Sequence, residues 1–127
     1  VTAIESNPVV AALVANALER TPNDVVRRFQ LCFGDSRRLV RDLAENFDGF
    51  YLDPMFTHKR SALPKKDMQY LSEIVAPAAE DTYLETVNFL RERKKRLVVK
   101  RANKAAPLCG LTPKHHIAGK LIRFDIY

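Results

Sequence analysis

Three acidic residues in the 127-residue sequence stand where apolar runs end, each beside residues able to do chemistry. The first run, VTAIES, closes on Glu5 and Ser6 ahead of Asn7-Pro8. The second, FQLCFGDS, closes on Gly34-Asp35-Ser36. The third, GFYLD, closes on Asp53, followed by Pro54, Met55 and Phe56, with His58, Lys59 and Arg60 just beyond. A carboxylate at such a place accepts hydrogen bonds from hydroxyls or amines. At the first site Asn7 is the better helix cap, which leaves Glu5 without an obvious structural role. In dinucleotide-type folds an acid that ends the second strand bonds a ribose hydroxyl pair. Asp35 is open between an adenine amino group and the cap of a helix beginning near Ser36.

Asp53 is the most chemical of the three. Its carboxylate is able to accept from an exocyclic amine, helped by a main-chain carbonyl that the proline turn exposes. Phe56 offers a face for stacking a base, worth about 1–3 kcal/mol in single-strand binding. The same residues also describe a plain turn with a partly buried ring. His58 reads as a surface residue, a phosphate contact or a general base. Gly-x-Ser-x-Gly and Walker-type glycine loops are missing from the sequence, and four glycines leave little for a phosphate cradle.

These residues need elements to position them. After VTAIES, Asn7-Pro8 predicts a helix N-cap and first helical residue, and Val10, Leu13, Val14, Ala17 and Leu18 recur at helical spacing. Thr21-Pro22-Asn23 breaks that helix, and a short helical piece around Asp24–Arg28 follows. Phe29–Ser36 reads as a second buried strand, and SRRLVRDLAENF as an amphipathic helix with Leu39, Val40 and Leu43 inward. GFYLD is a third strand, and KKDMQYLSEIV a helix beyond the loop that starts at Pro54. A further helix spans Glu80 to about Arg93 with Tyr83, Val87 and Leu90 on one face. RLVVK is the fourth strand, and IAGKLIRFDIY supplies one or two more. This alternation predicts an α/β fold, a parallel sheet with helices on both faces. Ligands of such sheets gather beyond the carboxyl ends of the strands, so the three acids are expected along one edge.

Formal charge is +6, which favours an anionic partner such as nucleic acid. Between Arg91 and Lys104, eight bases stand against the single acid Glu92. That run reads equally well as a solvated helix end followed by a strand. The two cysteines form no pattern, which fits a reducing compartment, and Cys32 reads as a buried small hydrophobe. Cys109, His115 and His116 match no usual zinc spacing, so no metal is expected. No apolar run approaches the roughly 20 residues of a membrane span, and a cytoplasmic protein is expected. The first residue, Val1, already begins a strand, which suggests a chain whose N-terminal part lies elsewhere.

The order strand-end acid, Gly-Asp-Ser, Asp-Pro-x-aromatic resembles class I methyltransferases that use S-adenosylmethionine. The longer strings ESNPVVAALV, YLDPMFTHKRSALPKKDMQ, RLVVKRANKAAPL and RFDIY resemble the RsmJ family, which methylates guanine N2 in bacterial small-subunit ribosomal RNA. The resemblance covers nearly the whole chain in the family's order. It implies a Rossmann-like class I methyltransferase sheet with helices on both faces, residues 1–127 being the C-terminal portion of one domain. The family's first strand and glycine loop are not in this sequence. By the same resemblance, Glu5 holds the donor's ribose, with Asp35 and Ser36 near its adenine. Asp53, Pro54 and Phe56 receive the target guanine, Asp53 also bordering the donor. His58, Lys59, Arg60, Lys65, Lys66, Lys100 and Arg101 line the approach of the RNA. The implied cofactor is S-adenosylmethionine, and the implied partner is small-subunit ribosomal RNA or the small ribosomal subunit. Two alternatives stay open: an amine of another nucleic-acid base as acceptor, or a non-catalytic basic RNA-binding module.

Overall fold

The chain divides into two compact units, Val1–Asp42 and Leu43–Tyr127, in a computed structural model that describes residues 1–54, 74–75 and 79–127. In the first unit β1 (Thr2–Glu5) runs into α1 (Pro8–Glu19). Asn7 makes that helix start: its side-chain oxygen accepts from the Val9 and Val10 N–H groups at 2.9 and 3.2 Å, and Pro8 needs no partner at the first position. A short α2 (Asn23–Val26) leads to β2 (Gln30–Phe33), which pairs parallel with β1 from Thr2↔Gln30 to Glu5↔Phe33. The helix α3 (Ser36–Leu43) follows.

A two-stranded sheet is narrow, and this decides which side of α1 is covered. Ala11 is buried and Val10, Val14 and Leu18 are half-buried, whereas Leu13 is 58% exposed and Ala17 is also exposed. The expected inward stripe is therefore rotated by part of a turn. For the same reason β2 is not a fully buried strand: Phe33 is 63% exposed and Cys32 only half-buried. In α3 Val40 is buried and Leu39 and Leu43 half-buried, as the amphipathic pattern predicts.

The second unit holds β3 (Gly49–Leu52), α4 (Leu84–Glu92), β4 (Arg96–Ala102), β5 (His115–Ala118) and β6 (Ile122–Ile126). The sheet order is β3-β4-β6-β5. Only β3 and β4 are parallel; β6 pairs antiparallel with both β4 and β5. The sheet is thus mixed, and β5 and β6 run antiparallel because IAGKLIRFDIY turns back at Gly119, where the Gly119 N–H donates to the Ile122 carbonyl at 2.7 Å. The predicted helix from Glu80 opens as a 3-10 turn, Glu80–Tyr83, before becoming α-helical.

Period-two alternation along β4 builds the core. Leu97, Val99 and Arg101 are buried, while Val98, Lys100 and Ala102 face the other way and are half-buried. Leu97 and Val99 share the interior with Val87 and Leu90 of α4, and with Leu108 and Tyr127. Deep in it, Asp125 is 1% exposed and accepts from the Arg123 guanidinium at 2.7 and 3.1 Å. Arg123 also donates to the Ala102 and Asn103 carbonyls, so each charge is neutralised and bonded as burial requires.

Candidate methyl-transfer site

Glu5 and Asp35 lie at one edge. Glu5 ends β1 and Asp35 lies two residues beyond its parallel neighbour β2, and the Gly34 N–H donates to the Glu5 carbonyl at 2.9 Å, so the first turn after β2 is tied to the end of β1. Gly34 sits at φ +151°, and a Cβ there would meet Leu39 Cδ1 at 2.9 Å. Residues with a side chain rarely adopt that φ, which is why glycine suits this turn.

Contrary to the expectation from sequence, Glu5 has a structural role. Its Oε1 accepts from the Asn7 N–H at 2.7 Å, which steadies the entry to α1. One oxygen of the carboxylate is thereby engaged. Of the two roles open to Asp35, the structure shows the cap. Its Oδ1 accepts from the Arg37 N–H at 2.9 Å, and the Arg37 guanidinium grips both oxygens at 2.5–3.0 Å. Those bonds hold the Asp35 carboxyl below its usual range. Ser36 is the first residue of α3 and is half-buried.

In the second unit Asp53 comes directly after β3, and Pro54 behind it is buried. Lys100 Nζ lies 2.7 Å from Asp53 Oδ2, and Tyr51 Oη is 3.5 Å from the same oxygen. The register explains the meeting. Leu52 pairs with Val99, so the next residues on both strands are Asp53 and Lys100. Tyr51 is on the same face, two residues before Asp53, and its ring packs against Phe124 with centroids 6.5 Å apart. Burial pushes the Tyr51 hydroxyl up, and the Asp53 charge adds to the effect. The Asp53 side chain keeps 44% of its surface exposed. Tyr51 is not among the residues singled out from sequence, although its i, i+2 spacing to Asp53 along the strand is the available signal; Lys100 and Phe124 join them only once the strand register is known.

The basic run does not act as one patch. Arg91, Arg93 and Lys94 are exposed at the end of α4, with the Arg93 guanidinium 3.8 Å from the Phe89 ring centroid. Lys100 is engaged by Asp53. Arg101 is turned inward with a side chain 3% exposed, donating to the Ala106 carbonyl at 3.0 and 2.6 Å and to Glu80 at 2.8 Å. Strand alternation puts it on the face opposite Lys100, so it does not stand at the surface as an RNA contact. Phe56, His58, Lys59, Arg60, Lys65 and Lys66 lie outside the described residues, as does most of the helix KKDMQYLSEIV. Cys109 adopts φ 53° and its Sγ is 3.0 Å from the Glu80 carbonyl; among the described residues no three His, Cys, Asp or Glu side chains group to hold a metal. No helix among them is long and apolar enough to cross a membrane.

The family model described as "Putative SAM-dependent methyltransferase" matches residues 1–127. A protein from Thioalkalivibrio sulfidiphilus named ribosomal RNA small subunit methyltransferase J is 40% identical over all of this chain and 52% of its own length. One of the same name from Shewanella sediminis is 41% identical, again over the whole chain and 52% of the relative. The crystal structure of a SAM-dependent methyltransferase from Neisseria gonorrhoeae superposes with a TM-score of 0.72 at 30% identity, covering 99% of this chain and 54% of that one. The chain spans about half the length of the curated relatives it matches.

Proposed function

Since the chain belongs to the RsmJ family of S-adenosylmethionine-dependent methyltransferases, we propose that the protein transfers a methyl group to the exocyclic N2 of a guanine in small-subunit ribosomal RNA. The observation that carries this reading is the Asp53 carboxylate, which stands just beyond a strand end with Lys100 on its Oδ2 and 44% of its side-chain surface exposed. It is a hydrogen-bond acceptor followed in sequence by Pro54 and Phe56.

S-adenosylmethionine supplies a methyl on a positively charged sulfur, which departs as a neutral thioether when the C–S bond breaks. The residues at the first unit's edge fit such a donor in a specific way. Glu5 has one carboxylate oxygen left for a ribose hydroxyl, and Ser36 opens a helix beside it. Asp35 serves the donor indirectly, by fixing the turn that carries Ser36, because Arg37 takes both of its oxygens.

A guanine amine is a weak nucleophile, since its lone pair is delocalised into the ring. By accepting one N–H, Asp53 aligns the nitrogen with the methyl carbon; the N–C bond forms as the C–S bond breaks, and the nitrogen's surplus proton leaves to water. Most of the acceleration comes from this positioning. Phe56 stacks on the base, which must be unstacked from its neighbours to enter, at a cost of a few kcal/mol in a duplex and less in a loop. His58, Lys59, Arg60, Lys65 and Lys66 supply the charge that attracts the RNA backbone, and the reaction takes place in the cytoplasm.

The test is to give the intact protein labelled S-adenosylmethionine and small ribosomal subunits lacking the modification, then digest the RNA to nucleosides. Label in N2-methylguanosine is the expected result. Label in a methylated adenosine or cytidine would move the acceptor to another base. Salt-sensitive RNA binding with no label in any nucleoside would leave a non-catalytic module instead.

A further inference from the structure

Among the described residues, both donors that reach the Asp53 carboxylate land on one oxygen. Lys100 Nζ is 2.7 Å from Oδ2, and Tyr51 Oη is 3.5 Å from it. The lysine is not a loose surface chain: its side chain is 31% exposed, and β6 places Phe124 directly across from it in the ladder. Phe124 in turn packs on the Tyr51 ring. Asp53, Lys100, Tyr51 and Phe124 therefore form one connected cluster on three neighbouring strands.

We propose that Lys100 is a positioning residue for methyl transfer, which clamps Oδ2 so that Asp53 presents Oδ1 alone to the acceptor base. This inference rests on the reaction proposed above and assigns the lysine a role other than gripping phosphate. Its chemical content is a matter of counting acceptors. An unclamped carboxylate has two oxygens and binds a guanine edge through N1–H and N2–H together, as carboxylates do with paired donors. That arrangement is tight, but it pins the amine in the plane of the carboxylate. Each carboxylate oxygen has two lone pairs, and those of Oδ2 face Lys100 and, more weakly, Tyr51, so Oδ1 is the open acceptor: one N–H is bound and the amine is free to turn its lone pair toward the methyl carbon. The clamp exchanges ground-state affinity for attack geometry, the trade that raises turnover. It also selects an acceptor by a single amine, with the remaining base edge read elsewhere.

Lys100→Met keeps the length and packing of the stem and removes the charge. In steady-state transfer to small ribosomal subunits it should lower kcat by about ten- to hundredfold, with the KM for RNA unchanged or lower. Donor affinity should stay at the wild-type value. Lys100→Arg, which restores a cation able to reach a carboxylate, should recover much of kcat, and Tyr51→Phe should lose less than Lys100→Met. The contrary result is a Lys100→Met protein with wild-type kcat, weaker RNA binding and a salt slope reduced by about one, the signature of a lost phosphate contact. That outcome overturns the clamp while leaving the reaction intact. Wild-type protein that labels no nucleoside overturns the reaction itself, and the clamp with it. Equal loss of kcat in Lys100→Met and Lys100→Arg, accompanied by lost donor binding, would show that the lysine only supports the fold.

Discussion

Arg101 Nη2 lies 2.8 Å from Glu80 Oε1, and the same guanidinium donates twice to the Ala106 carbonyl. One arginine from the most basic stretch of the chain thus ties β4 to the 3-10 turn before α4 and to the loop after the strand. Arg101→Met should cost about 2–3 kcal/mol, since the Ala106 carbonyl loses a charged donor and the pair is broken. The midpoint of urea unfolding measures the loss. RNA affinity at a temperature where the variant is folded should keep its wild-type salt slope. A slope lower by one would return the residue to the RNA interface.

The end of α4 carries a correctable strain. Lys94 adopts φ 54°, while the Lys95 N–H closes back on the Leu90 carbonyl at 3.0 Å. This is the position where helices favour glycine, because a Cβ in the left-handed region crowds the following backbone. Lys94→Gly should therefore stabilise the protein by about 0.5–1 kcal/mol, unlike a glycine placed inside the helix. A drop in the unfolding midpoint would mean that the Lys94 side chain contributes more than its backbone costs.

Asp35 makes the first unit sensitive to acid. Its bonds to Arg37 hold the carboxyl below the ordinary value of 3.8, so folding favours the ionised form. The stabilisation is present above that value and is lost as pH falls through the lowered folded value. Asp35→Asn keeps the cap's shape and removes the charge. The difference in urea midpoint between wild type and variant should be largest near neutrality and should shrink in the acid range. A difference that stays constant with pH would show that the cap, and not the charge, supplies the stability.

How much of the molecule is legible in its sequence depends on the range of the interaction. The Asn7-Pro8 start of α1, the strand ends at Glu5 and Asp53 and the inward side of α3 follow from local rules, and the structure agrees. The exposure of Leu13 and Phe33 does not, because it depends on how wide the neighbouring sheet is. The spacing of RLVVKRA puts Lys100 and Arg101 on opposite faces, yet only the pairing of β4 with β3 and β6 says which face meets Asp53. In the same way RFDIY is, in the sequence, a string that resembles a family. Its physical content, an arginine and an aspartate two apart forming a buried pair, appears once β6 is placed inside the sheet.

The most direct test of the role given to Asp53 is transfer by Asp53→Ala, measured beside donor affinity in the same preparation. The expected result is loss of label from N2-methylguanosine with donor binding nearly unchanged, because the carboxylate acts on the acceptor amine. Label retained at the wild-type rate, or transfer and donor binding lost in equal measure, would contradict that role.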